Sequence, residues 1–199
     1  MGLSKKDLRL IRLSTAIVIG DWPEVERTRE NAPDGEPDRA WREAVLQVHL
    51  FAGVPRQVEA YEVLHRAGGL GPVSDGERMD QPSLPESGLD LFGRIYGSNT
   101  DPVAARLRDF HPDFGNWVLG HAYGRVLSRP GLSADRRELL AVSALAATGQ
   151  DRQLASHARG ALACGATCDE VTGAIQSVAD LIDEALLDRA LAVAARFAN

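Results

Sequence analysis

Residues 133–149 read Ser133-ADRRELLAVSALAAT-Gly149. A serine before an apolar stripe is a helix start, because its hydroxyl accepts from a first-turn N–H that lacks an intrahelical partner. A glycine at the far end is a stop, because it takes left-handed backbone at little cost. Residues 4–20, Ser4-KKDLRLIRLSTAIVI-Gly20, repeat this frame at the same length with the apolar stripe in register. Farther on, Trp41-REAVLQV pairs with Cys168-DEVTGAIQSV after a short gap. Agreement of cap, stop and following helix points to an internal duplication, about 4–67 against about 133–197. The expected fold class is all-α, a tandem helical repeat. Three segments follow: residues 1–67 as an N-terminal helical repeat serving as scaffold, 68–90 as a linker or long surface loop, and 91–199 as the C-terminal repeat.

The rest of the chain also reads as helix. No sustained apolar–polar alternation marks a strand. Asp21 and Pro23 suit a helix start. Asp38 caps a helix ending near Gly53, and Pro55 opens one running to about Ala67. Residues 68–90 are rich in Gly, Pro, Ser and charge, the composition of a loop. Helical pattern resumes near Leu91, with Asp101-Pro102 as a further cap and first turn. His111-Pro112 leads into a helix over Phe114–Leu127, which Arg129-Pro130-Gly131 stops. A helix from about Asp151 to Cys164 ends at Gly165. Thr167-x-x-Glu170 has the spacing of a capping box.

With 199 residues, 44% apolar and 25% charged, the chain is ordinary for a globular protein with a sizeable core. A net charge of −6 speaks against a nucleic-acid partner bound through a broad basic surface. Arg9 and Arg12 interrupt the N-terminal apolar stretch, so an amphipathic helix is read there rather than a signal peptide. No segment has the roughly 18 uninterrupted apolar residues of a membrane span. Cys164 and Cys168 make no disulfide framework, and a cytoplasmic protein is the default expectation.

The stretch from Phe110 to Val171 resembles the carboxymuconolactone decarboxylase family. Phe114, His121-Ala-Tyr-Gly124, Ser128-Arg-Pro-Gly-Leu132, Arg137-Glu-Leu-Leu140 and Leu154-Ala-Ser-His157 carry the resemblance. Ala161-Leu162 and Gly165-Ala-Thr-x-x-Glu170 continue it in the same order. The wider group includes alkyl hydroperoxidase D-like proteins, whose signature is a Glu, a C-x-x-C dithiol and a His. Glu138 and His157 have the separation that signature requires, but the dithiol positions hold Gln150 and Gln153. Glutamine has no thiolate to attack a disulfide, which argues against the antioxidant alternative.

The resemblance implies a cofactor-free lyase acting on a small carboxylated lactone or related acid. An unsaturated lactone is its own electron sink, so no metal or organic cofactor is called for. The protein must hold carboxylates, stabilise a developing dienolate and reprotonate carbon. His157 is the expected proton carrier, since its ordinary pKa lies near 6.5, and Glu138 its orienting partner or an acid. In the aligned first repeat these positions are Arg9 and Thr28, which assigns any site to the second repeat. Arg137, Arg129 and His121 are the candidate substrate-binding residues, with Arg125 on the same helix face as His121. No metal-binding spacing occurs. Asp180-Leu-Ile-Asp-Glu184 replaces the Gly53-Val-Pro55 turn of the first repeat, and its acids could repel an anionic substrate bound nearby. A non-catalytic binding or assembly role is the remaining alternative.

Two geometric expectations follow. Glu138 and His157 should face each other across adjacent antiparallel helices, at comparable distances from the turn at Gly149-Gln150. Arg137 points about 100° away on the helix and should reach the pocket only from its rim. Ala- and Leu-rich helices should also leave apolar faces uncovered, and the related family self-associates. A homo-oligomer, a trimer or hexamer, is expected.

Overall fold

Ser4 opens the first helix, α1 (Lys5–Ile19), through a reciprocal capping box. Its Oγ accepts from Asp7 N–H at 3.1 Å and its own N–H donates to Asp7 Oδ2 at 2.9 Å. Gly20 closes the helix at φ 79°, a left-handed cap. The computed structural model describes residues 2–78 and 85–198, and of Pro85 the backbone only. Ten further α-helices follow: α2 (Trp22–Glu30), α3 (Arg39–Gln47), α4 (His49–Arg66), α5 (Pro85–Tyr96), α6 (Thr100–Phe110), α7 (Pro112–Trp117), α8 (Ala134–Ala147), α9 (Asp151–Ala163), α10 (Cys168–Gln176) and α11 (Glu184–Ala194). Between α7 and α8 runs a π-helix, Val118–Leu127. No strand occurs among the described residues, and the fold is all-α. No helix among them is long and apolar enough to cross a membrane.

Most starts and stops fall where side-chain chemistry placed them. Asp21 and Asp38 accept from first-turn N–H groups of α2 and α3. Thr167 and Glu170 form the capping box of α10. Gly149 and Gly165 turn the chain at positive φ. The break read at Gly53 lies inside α4, where φ is 77° and the helix kinks two residues before Pro55. Two starts differ. Asn99 takes the N-cap position of α6, so Asp101 sits within its first turn. Ser133 has the extended backbone of a cap, yet its hydroxyl makes no capping bond.

Helix α8 is buried all round: every residue from Arg137 to Ala147 is buried. A stripe was expected, but a helix at the centre of a bundle has no solvent face. Its run of Ala and Ser lets α1 and α9 lie close against it. One core draws together Leu10, Ile11 and Ile17 of α1, Trp41 of α3, Leu139 of α8, Leu154 of α9 and Ile175 of α10. Residues 4–67 and 133–197 thus share one interior. A second, smaller cluster joins Leu91, Phe92 and Ile95 of α5 to Ala104, Tyr123 and Leu127.

Part of the expected linker is built structure. Asp75–Glu77 form a 3₁₀ turn whose Glu77 carboxylate takes two hydrogen bonds from Arg42, at 2.6 and 2.8 Å. Helix α5 begins at Pro85, ahead of the expected Leu91. Positions 79–84 of that linker lie outside the described residues.

Candidate active site

Helices α8 and α9 run from the Gly149 turn and pack on each other along their length. This brings His157 Nδ1 to 2.8 Å from Glu138 Oε2, as their spacing from the turn led us to expect. A carboxylate can only accept, so Nδ1 carries the proton and Nε2 is left as the reactive nitrogen. No hydrogen bond among the described residues engages Nε2. Glu138 is 1% exposed, and Gly160, one turn beyond His157, makes room for it: a Cβ there would meet Glu138 Oε2 at 2.7 Å. Burial pulls the His157 pKa down. The charge and hydrogen bond of Glu138 more than offset this, so the net shift is upward.

His157 opens on a cavity of about 380 Å³ walled by Phe51 of α4, Tyr96 of α5, Phe114 and Trp117 of α7, and Val118, His121, Tyr123 and Leu127 of the π-helix. Phe51 sets its edge against the His157 ring, centroids 5.8 Å apart. Among the described residues, the cavity's side-chain polar groups belong to the two imidazoles, the hydroxyls of Tyr96 and Tyr123 and the indole N–H of Trp117. The two hydroxyls are 3.4 Å apart, and burial raises both phenol pKa values, so both stay neutral.

The π-helix shapes one wall. Its closing bond, Ser128 N–H to the Tyr123 carbonyl, spans five residues. In an α-helix, residues nine apart point to opposite sides, at about 100° per residue. Here Val118 and Leu127 both line the cavity, with Ala122 and Tyr123 between them. An ordinary helix was expected over this stretch; apolar periodicity alone does not distinguish an i→i+5 ladder from i→i+4.

The other candidates fall differently. His121 does line the cavity, and its Nε2 lies 2.8 Å from His49 Nε2. His49 Nδ1 sits 2.5 Å from the Leu46 carbonyl and donates to it, so between the neutral rings His121 Nε2 is the donor. Burial, His49 and Arg125 together lower the His121 pKa. Arg137 is not at a pocket rim. It is 1% exposed, and its guanidinium donates to Glu43 Oε2 (2.9 Å), Gln47 Oε1 (3.3 Å) and the Leu132 and Arg129 carbonyls. Arg129 grips the same Glu43 through Nε and Nη2 and bonds the Glu77 carbonyl. Glu43 thus supplies a buried counter-charge to Arg137 and Arg129, the two expected carboxylate-binding residues, and neither arginine lines the cavity with His157. Asp180 pairs with Arg12 at 2.7 and 2.8 Å and Asp183 caps α11, so neither acid borders that cavity.

Arg9 and Thr28, which align with Glu138 and His157, bond Glu36 and Glu24 and serve packing. Arg94 donates to Cys164 Sγ at 3.2 Å while burial pushes that thiol's pKa up; Cys168 Sγ donates to the Phe197 carbonyl at 2.8 Å. Both cysteines are free thiols, and Gln150 and Gln153 are exposed. Glu43, His49, Phe51, Tyr96 and Gly160 escaped sequence reasoning. Only Gly160 carried a signal, as a glycine inside a helical pattern, which usually has a packing reason.

A buried carboxylate–imidazole pair facing an aromatic-walled cavity defines a helical protein equipped for acid–base chemistry. The comparisons with known proteins make this specific. Residues 112–196 match the model of the carboxymuconolactone decarboxylase family. The chain is 33% identical over 94 residues to a 4-carboxymuconolactone decarboxylase of Acinetobacter baylyi, covering 47% of this chain and 70% of that protein. It is 34% identical over 136 residues to peroxisomal protein 2 of Schizosaccharomyces pombe, covering 67% of this chain and 64% of that protein. The chain belongs to the carboxymuconolactone decarboxylase family.

Proposed function

We propose that the protein is a cofactor-independent carboxy-lyase acting on a small carboxylated lactone or related acid, with His157 as proton carrier and Glu138 as its positioning residue. The observation that carries this is the 2.8 Å bond from His157 Nδ1 to Glu138, which leaves Nε2 beside the cavity with no partner among the described residues. The carbon–carboxylate bond breaks and CO₂ leaves. The electron pair moves into the unsaturated lactone and rests on its carbonyl oxygen as a dienolate. The imidazolium Nε2–H then protonates carbon, and solvent returns one proton to His157, so the sum is R–COO⁻ plus H⁺ giving R–H plus CO₂. Positioned general-acid transfer of this kind is worth roughly 10²–10⁴-fold. Glu138 keeps the imidazole in the required tautomer and supports its charge. The name of the Acinetobacter relative agrees with this reaction class. A thiol peroxidase reading draws no support from two free cysteines, of which Cys164 has its thiol pKa raised by burial.

The test is CO₂ release from a panel of carboxylated butenolides. His157→Gln should lose at least a hundredfold in kcat while still binding substrate, and Glu138→Gln should lose less. A His157→Gln protein that keeps its turnover would overturn the proposal.

A further inference from the structure

Among the described residues, the polar side chains that line the cavity are two histidines, two tyrosines and Trp117 with its indole N–H, and the wall holds no arginine or lysine. Arg137 and Arg129 are both held by the Glu43 carboxylate and do not reach the cavity, and Arg125, one turn from His121, lies near enough to lower that imidazole's pKa without entering the wall. A dicarboxylate entering here would bring two anionic groups to a wall whose ionisable cations are the imidazoles alone. An unpaired carboxylate in an apolar site is strongly disfavoured. The tyrosines supply the complementary clue. Tyr123 is 4% exposed, and its hydroxyl donates to Tyr96 Oη. Tyr96 has no protein acceptor among the described residues, so its own proton is free for a ligand oxygen. A donor whose oxygen already accepts a hydrogen bond is polarised into a better donor. Phe92, edge-on to Tyr123 at 4.9 Å and 4.5 Å from Tyr96, holds both rings in place.

We infer that the cavity selects a compact unsaturated carbonyl compound bearing a single carboxylate rather than two, with the carbonyl oxygen held by the Tyr96 hydroxyl. The inference rests on the lyase reading only for the identity of the cavity. Tyr96 lies on α5, outside the family match at 112–196. In the reaction above, the same hydroxyl faces the oxygen on which dienolate charge collects.

The test is direct binding, read from the fluorescence of Trp117 in the cavity wall and by calorimetry, with His157→Gln protein so that nothing is consumed. Four probes are compared: an aryl-substituted butenolide, its monocarboxylate, its dicarboxylate, and a monocarboxylated dihydrofuran that lacks the carbonyl. The monocarboxylated butenolide should bind at least tenfold more tightly than the dicarboxylate. Tyr96→Phe should weaken the butenolides about tenfold and leave the carbonyl-free probe within twofold, with Tyr123→Phe showing the same pattern at smaller size. Equal or tighter binding of the dicarboxylate overturns the inference, as does a Tyr96→Phe effect that ignores the carbonyl. Absence of turnover by the wild-type protein, with the binding series intact, would instead remove the lyase reading and leave the cavity's preference standing.

Discussion

Gly160 and Glu138 stand so close that a methyl group on residue 160 would lie 2.7 Å from a carboxylate oxygen. The same oxygen, Oε2, holds His157. A mid-helix glycine costs about 1 kcal/mol relative to alanine, so Gly160→Ala favours the helix and disfavours the site. The carboxylate is the end of a flexible side chain and can swing aside, but only by abandoning the imidazole. The expected outcome is a protein that still folds, with Tm lowered because a buried carboxylate loses its partner and Ile95 is crowded at 3.1 Å, and with turnover reduced at least tenfold. Thermal melts and initial rates on one preparation check it; full activity in Gly160→Ala would show that the contact does not matter.

The raised His157 pKa fixes the sign of a pH effect. Its folded value lies above the ordinary imidazole value of about 6.5, so its stabilising contribution is complete below 6.5. That contribution is lost as pH rises through the raised folded value. His121 runs the other way: its folded value is lowered, so its contribution is complete above about 6.5 and lost as pH falls through the lowered value. Ring-proton NMR titration should show the His157 midpoint above that of a free imidazole and the His121 midpoint below. In Glu138→Gln the His157 midpoint should drop, because burial then acts unopposed. A His157 midpoint indifferent to Glu138→Gln would contradict the pairing.

Arg137 and Glu43 form an ion pair with both partners almost wholly buried. Removing one partner of such a pair costs about 3–5 kcal/mol, because the other charge is left unanswered; Arg129 retains part of the answer here. Arg137→Ala should therefore lower the stability by about 3 kcal/mol in urea unfolding, with any surviving native protein close to normal in KM. A variant of normal stability with a raised KM would return Arg137 to substrate binding.

Phe110, Phe114 and Trp117 are 65%, 43% and 67% exposed, all on α6 and α7. Large aromatics this open on neighbouring helices are uncommon on a monomer surface. Self-association to a trimer or hexamer is the expected state, with Trp117 quenched less by acrylamide in the assembly than in a dissociated form. Light scattering that finds a monomer at micromolar concentration would sink this expectation.

The reading of the chain succeeded where a local rule decides. Ser4, Asp21, Asp38 and Thr167 cap because their side chains reach N–H groups two or three residues on. Glu138 and His157 meet because two helices of known rise share one glycine turn. What failed was decided by distant partners. Arg137 looked like a rim cation because the residue that neutralises it, Glu43, lies on α3, far off in sequence. Tyr96 and Phe51 come to the cavity from α5 and α4, and no spacing within the shared motif points to them. The extent of α8 burial depends on how many neighbours surround it, which its own pattern does not record.

The π-helix carries a consequence for how such a cavity changes shape. A ten-residue segment in an i→i+5 ladder differs from its α counterpart by a local surplus of chain. Loss of one codon between Val118 and Leu127 would let the ladder slip to i→i+4 while both ends stay anchored, at Trp117 and before Arg129-Pro130. The helix would survive, and Val118 and Leu127, then eight residues apart, would stand about 80° from each other around it instead of nearly in line, so the wall they share in front of His157 would be reshaped. In this fold, the shape of a binding chamber can be altered by a single in-frame deletion that spares the bundle around it.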